Sequence, residues 1–113
     1  MSGVSGEAAR GAVDFDYLEG FAAGDMQVVT EVLNLFQGQA EGWMGQLATP
    51  DPGHWRDLAH TIKGSARGIG AGPLGEAADR AERGDVTRAD ELRSALADAL
   101  ADIEGYLTRI GGG

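Results

Sequence analysis

Apolar residues recur along the chain at spacings of three and four, the signature of helices that bury one face. The longest early run is Val29, Val32, Leu33, Phe36, Ala40, Trp43 and Leu47, which predicts a helix from a candidate N-cap at Asp25 to about Leu47. Ahead of it, Asp14 can cap a short helix presenting Phe15, Leu18 and Phe21 or Ala22, closed by Gly24. Thr49-Pro50-Asp51-Pro52 interrupts the pattern, and Asp51 followed by Pro52 reads as N-cap then first helical position, where proline has no N–H to lose. A third helix is therefore expected from Pro52 to about Ile69, ended by Gly70-Ala71-Gly72. Pro73 restarts a short fourth helix through Leu74, Ala77, Ala78 and Ala81 to Gly84. Thr87 with Asp90 reads as a capping box opening a fifth helix that carries Leu92, Ala95, Leu96, Ala99, Ile103, Tyr106, Leu107 and Ile110. No segment alternates with period two, so strands are not predicted.

Short connections make successive helices antiparallel neighbours. The expected fold is all-α: an antiparallel up-down four-helix bundle with an additional short N-terminal helix, over residues 14–110. Residues 1–13 carry no periodic pattern and are expected to form a flexible N-terminal arm, and residues 111–113, all glycine, a flexible C-terminal end. A bundle complete within one chain points to a monomer.

Composition narrows the function. The chain has 113 residues, the size of one domain, with 9 Lys and Arg against 18 Asp and Glu for a net charge of −9. That balance argues against nucleic acid as a partner, since phosphate contacts need clustered cations. The absence of cysteine removes disulfides, thiolate chemistry and thiolate-ligated zinc. No apolar run approaches the roughly 20 residues of a membrane helix, and the opening MSGVSGEAARG lacks a secretory apolar stretch, so a cytoplasmic protein without a membrane partner is expected. The acidic residues of the fifth helix lack the tight spacing of a calcium loop. Trp43 and Trp55 read as packing residues, and His54 as an end-of-helix residue.

The third helix departs from the bland pattern. At about 100° per residue, Trp55, Leu58, Ala59, Ile62, Ala66 and Ile69 fall within one arc of roughly 100°. His60 lies on the opposite side with Arg56, Lys63, Gly64 and Arg67, at offsets of −4, +3, +4 and +7, which are surface neighbours on a helix. Residues 54–69 hold Arg56, Lys63 and Arg67 against Asp57 alone, a local +2 in a strongly acidic chain. An exposed imidazole ringed by cations suits an anion arriving at it. In its neutral form the ring has a free lone pair and is a nucleophile. If it attacks phosphorus, Lys63 and Arg67 can offset the negative charge brought in. Gly64 is unfavourable in mid-helix by about 0.8–1.0 kcal/mol against alanine, and it clears the space one turn past the ring.

The run His60-Thr61-Ile62-Lys63-Gly64-Ser65-Ala66, with Gly70-Ala71 following, resembles the phosphorylation motif of histidine-containing phosphotransfer (HPt) domains. The resemblance implies a four-helix bundle in which His60 takes a phosphoryl group from an aspartyl phosphate on one receiver domain and passes it to another. It also implies that Lys63 steadies the phosphoryl group and that Gly64 gives clearance; from their places around His60, Arg56, Gly64 and Arg67 are expected to meet the partner. Partners would be response-regulator receiver domains and a hybrid histidine kinase. The chain would be a phosphoryl carrier and not an enzyme with its own ATP site, because it has no P-loop or kinase glycine-rich loop. No cofactor or metal is expected on it; Mg²⁺ would sit in the receiver's acidic site. Transfer at His60 would require a ring outside the bundle and free of any lasting bond to a carboxylate, within an apolar patch rimmed by polar groups. Two other readings share the fold: the phospho-acceptor domain of a chemotaxis-type histidine kinase, which further kinase modules would follow, and a non-catalytic helical adaptor. Lys63-Gly64 beside the histidine has no purpose in the adaptor.

Overall fold

The computed structural model describes residues 11–111. Among them are five α-helices and no strand: α1 (Phe15–Phe21), α2 (Met26–Ala48), α3 (Trp55–Gly68), α4 (Gly72–Arg83) and α5 (Ala89–Gly111). Single 3₁₀ turns at Pro52–His54 and Val86–Arg88 lead into α3 and α5. The helix starts follow the expected capping chemistry. Asp14 accepts from the Tyr17 N–H, Asp25 from Gln27 and Val28, and Asp51 from Gly53; each satisfies backbone donors with no partner inside the helix. Two starts were expected elsewhere. The proline-led turn after Asp51 is 3₁₀, so α3 proper begins at Trp55. Before α5 the capping residue is Asp85, not Thr87: its Oδ1 takes both the Thr87 N–H at 3.0 Å and the Thr87 hydroxyl at 2.6 Å.

α2, α3, α4 and α5 form a closed ring of neighbours, each packed on the next and α5 on α2. The core is the set of stripes expected from periodicity: Val29, Leu33, Phe36, Ala40, Trp43 and Leu47 of α2, Trp55, Ala59, Ile62 and Ala66 of α3, Leu74, Ala77, Ala78 and Ala81 of α4, and Leu92, Leu96, Ala99, Ile103 and Tyr106 of α5 are all buried. The closest pair is α3 and α4, where small residues let the axes approach. They run antiparallel: the buried Trp55 indole N–H at the start of α3 donates to the Ala81 carbonyl at the end of α4, at 2.7 Å. At the other end, Ala66 and Arg67 lie against Gly75. A buried indole N–H needs an acceptor, so this bond fixes the register in which α4 presents its polar face beside α3.

The segment before α1 is more ordered than its sequence suggests. Val13, expected in the flexible arm, is 1% exposed, and the Asp102 carboxylate on α5 accepts from the backbone N–H groups of Ala12 and Val13. The remainder of that arm, residues 1–10, and residues 112–113 lie outside the described residues. Leu18 is buried, Phe15 stacks on Tyr106, and the Tyr106 hydroxyl donates to Glu19, so α1 closes the bundle end where α3 and α5 terminate. Gly70 is indispensable to this closure. Its φ is +81°, and a Cβ there would come within 2.9 Å of the Asp14 carbonyl oxygen and of the Tyr17 ring. The Gly70 carbonyl in turn accepts the Asp14 N–H at 2.9 Å.

Candidate functional site

His60 stands in the middle of α3, its side chain 69% exposed, while Ala59 and Ile62 beside it are fully buried. The outward phase derived from the helix wheel is therefore the observed one. What the wheel of one helix leaves out is its neighbour. α4 places Asp79 and Glu82, one turn apart, alongside the His60 face. The His60 Nδ1–H donates to Glu82 Oε2 at 3.0 Å. The Lys63 ammonium lies 2.6 Å from the other oxygen of the same carboxylate and 3.3 Å from Asp79 Oδ1. Asp79 Oδ2 is also 3.0 Å from the Arg83 guanidinium. The result is a chain of alternating charge along the groove between α3 and α4, ending on the imidazole.

Three expectations change. The imidazole is not ringed by cations alone. Lys63 is turned into α4 and only 17% exposed, and among the described residues Arg56 and Arg67 have no carboxylate within ion-pair distance. Arg67 lies with its stem across Gly75, whose absent Cβ would sit 3.4 Å from Arg67 Cγ. Nor is the ring free of carboxylates, as transfer chemistry was expected to require. That requirement treated the two ring nitrogens as one. A carboxylate accepts and cannot donate when ionised, so Glu82 fixes the proton of the neutral ring on Nδ1 and leaves the lone pair on Nε2. Finally, α3 and α4 do not themselves supply the expected apolar patch; exposed Tyr17 of α1 lines a groove with Arg67 at the end of α3. Among the described residues, the large apolar side chains most open to solvent are Tyr17, Phe21, Met26, Val28, Leu35 and Ile110, none of them on α3 or α4.

Glu82 is ionised for stated causes. The Lys63 ammonium lowers its pKa most, against the opposing effect of partial burial, and the His60 contact adds to the lowering. Asp79 is lowered chiefly by Lys63 as well, and Lys63 is raised chiefly by Glu82. Glu82 Oε1 is sealed from solvent and has no partner at hydrogen-bond angle, so the Lys63 charge at 2.6 Å is what sustains it. A depressed carboxylate contributes stability above its unfolded pKa and loses it as pH falls through the folded one. The Glu82 carboxyl, followed by NMR, should thus titrate below its ordinary 4.5, with the His60 contact breaking in the same acid window. Lys63→Met should move that midpoint upward; an unmoved midpoint would show that Lys63 does not hold the carboxylate.

A Cβ on Gly64 would meet nothing within 4 Å, so the fold itself gives no reason for glycine there. Gly64 stands one turn on from His60 and leaves that stretch of α3 bare. His54 sits apart at the head of α3, its Nδ1 2.8 Å from Asp51, in the end-of-helix role read for it.

The sequence model of the Hpt domain family matches residues 26–106, which contain every residue of this cluster. The chain belongs to the Hpt domain family. The Hpt fold is shared with the crystal structure of histidine phosphotransferase ShpA from Caulobacter crescentus. That chain is 50% identical to this one over 89% of this chain and 95% of its own, with a TM-score of 0.78. No curated protein matches the chain. Within this Hpt domain, Glu82 and Asp79 are the site residues that sequence reasoning passed over. Their signal was present: Asp79 falls on the side of α4 opposite Ala77, Ala78 and Ala81, and Glu82, one turn on, at the edge of that buried stripe.

Proposed function

We propose that His60 is the phospho-acceptor of this phosphorelay phosphotransfer protein, reacting through Nε2. One observation carries the assignment: an exposed imidazole in the Hpt motif, its Nδ1 proton held by the ionised Glu82, with the bare surface of Gly64 one turn on. The ring has its nucleophilic lone pair on the nitrogen that the fold leaves unbonded. Gly64 admits a second reacting group to within bonding distance, which in-line transfer between two proteins demands. Lys63 is near enough in sequence, one turn along the same face, to serve the phosphoryl oxygens. Arg56 and Arg67, without carboxylate partners among the described residues, are placed to meet an acidic partner on either side of the ring.

The partner class is the response-regulator receiver domain, charged in turn by a hybrid histidine kinase. The protein acts as a carrier: it contributes a nucleophile and its surroundings. The Mg²⁺ that neutralises a transferring phosphoryl group would be held by the receiver's own carboxylates. We place this traffic in the cytoplasm and take the carrier to be a monomer. No helix among the described residues is long and apolar enough to cross a membrane. The test is to incubate the chain with a phosphorylated receiver domain and, separately, with ATP and a kinase catalytic domain. Label gained from the receiver supports a relay intermediate. Label gained only from ATP through the catalytic domain would favour the chemotaxis-kinase alternative.

A further inference from the structure

Lys63 belongs to the face of the reacting ring, yet its ammonium is engaged by two carboxylates of α4, Glu82 at 2.6 Å and Asp79 at 3.3 Å. We propose that Lys63 changes partners when His60 is phosphorylated, and that Asp79 is the positioning residue that sets how readily it does so. This rests on His60 being the phospho-acceptor.

The driving force follows from the charge balance of the transfer. The Nε2 lone pair forms the N–P bond as the P–O bond to the receiver's aspartate breaks, and that electron pair leaves with the aspartate carboxylate. The Nδ1 proton does not move. The ring therefore passes from a neutral imidazole to an imidazolium bearing a dianionic phosphoryl group. Glu82 now accepts from a cationic Nδ1–H, a stronger bond than before, and has less need of the ammonium on its other oxygen. Meanwhile phosphoryl oxygens arrive at the ring, one helical turn from the lysine's own backbone. A lysine, a point charge on a flexible stem, suits such a move better than an arginine fork.

Asp79 opposes the exchange because it attracts the ammonium in the resting state and gains nothing from phosphorylation. Its pull is itself moderated by Arg83, 3.0 Å from its second oxygen and four residues along the same helix. The other nearby cation of α4, Arg80, is paired with Glu91 of α5 at 2.7 Å and takes no part. Asp79 and Arg83 should accordingly act in opposite directions. Removing the Asp79 charge releases Lys63 to the phosphoryl group. Removing Arg83 leaves Asp79 less neutralised and holds Lys63 back.

The experiment measures the equilibrium distribution of label between a phosphorylated receiver domain and the full chain. Asp79→Asn should shift it toward phosphohistidine by roughly threefold to fivefold, the size of one partly shielded ion pair. Arg83→Gln should shift it the other way by a smaller factor. In a Lys63→Met background the Asp79→Asn gain should vanish. A merely structural role would move both single variants in the same direction and would not depend on Lys63. An unchanged distribution in Asp79→Asn, or a gain that survives Lys63→Met, overturns the partner exchange while His60 still takes label. Undiminished label in His60→Gln would instead overturn the acceptor assignment beneath it.

Discussion

His60→Gln is expected to abolish phosphoryl uptake from a phosphorylated receiver while leaving the bundle folded. The two halves of that result have separate causes. Uptake is lost outright because the amide of glutamine has no lone pair on nitrogen fit for attack at phosphorus. Folding is spared because the side chain is 69% exposed and its one hydrogen bond, to Glu82, contributes nothing to the core. Surface changes of this kind stay within about 0.5 kcal/mol, so the thermal midpoint and helical circular dichroism should match the wild type. His54→Gln is the internal control. Its ring is also exposed and also bonded through Nδ1 to a carboxylate, Asp51. It differs in standing at the N-terminal end of α3, without the lysine and glycine one turn on. Full uptake by His54→Gln is expected; loss of uptake there would show that exposure and a carboxylate bond, and not the surroundings, define the acceptor.

Glu82→Ala should slow phosphoryl uptake by about ten- to a hundredfold, by analogy with removal of the hydrogen-bond partner that orients a metal-ligating imidazole. Two things are lost together. The proton is no longer confined to Nδ1, so the ring spends part of its time with Nε2 protonated and unable to attack. The imidazolium formed on transfer also loses the anion that faces it. Lys63→Met separates these effects from the ammonium, since it leaves the Glu82–His60 bond in place. Its defect should be smaller in rate and should show instead in the lifetime of the phosphohistidine. Stopped-time labelling of the two variants with the same receiver distinguishes them. Equal rates for Glu82→Ala and wild type would mean that the carboxylate plays no part in the reaction.

The fold was legible because its signals are local. Asp14 and Asp25 cap the helices that their positions imply, Asp51 caps the 3₁₀ turn that leads into α3, and the stripes on α2 and α3 are one-helix patterns that survive packing. Misplaced features lay where a second element decides the outcome. Val13 has no periodic partner in its own segment and is held by Asp102, nearly ninety residues on. Thr87 resembled a cap until Asp85 took both its N–H and its hydroxyl. The site divides in the same way. The outward phase of His60 and the nearness of Lys63 and Gly64 are properties of α3 alone. The sign of the field at the ring is a property of α3 and α4 together, and depends on the register set by the Trp55 bond to Ala81. A histidine face that reads as cationic along one helix becomes an alternating network once Asp79 and Glu82 arrive from the next.

The most direct measurement is the identity of the phosphorylated atom. Peptide mapping of the labelled chain, with nitrogen and phosphorus NMR of the intact phosphoprotein, should place the group on Nε2 of His60 and find the Nδ1 proton still shared with Glu82. A phosphoryl group on Nδ1, which would have to displace that carboxylate, or on His54, would contradict the account.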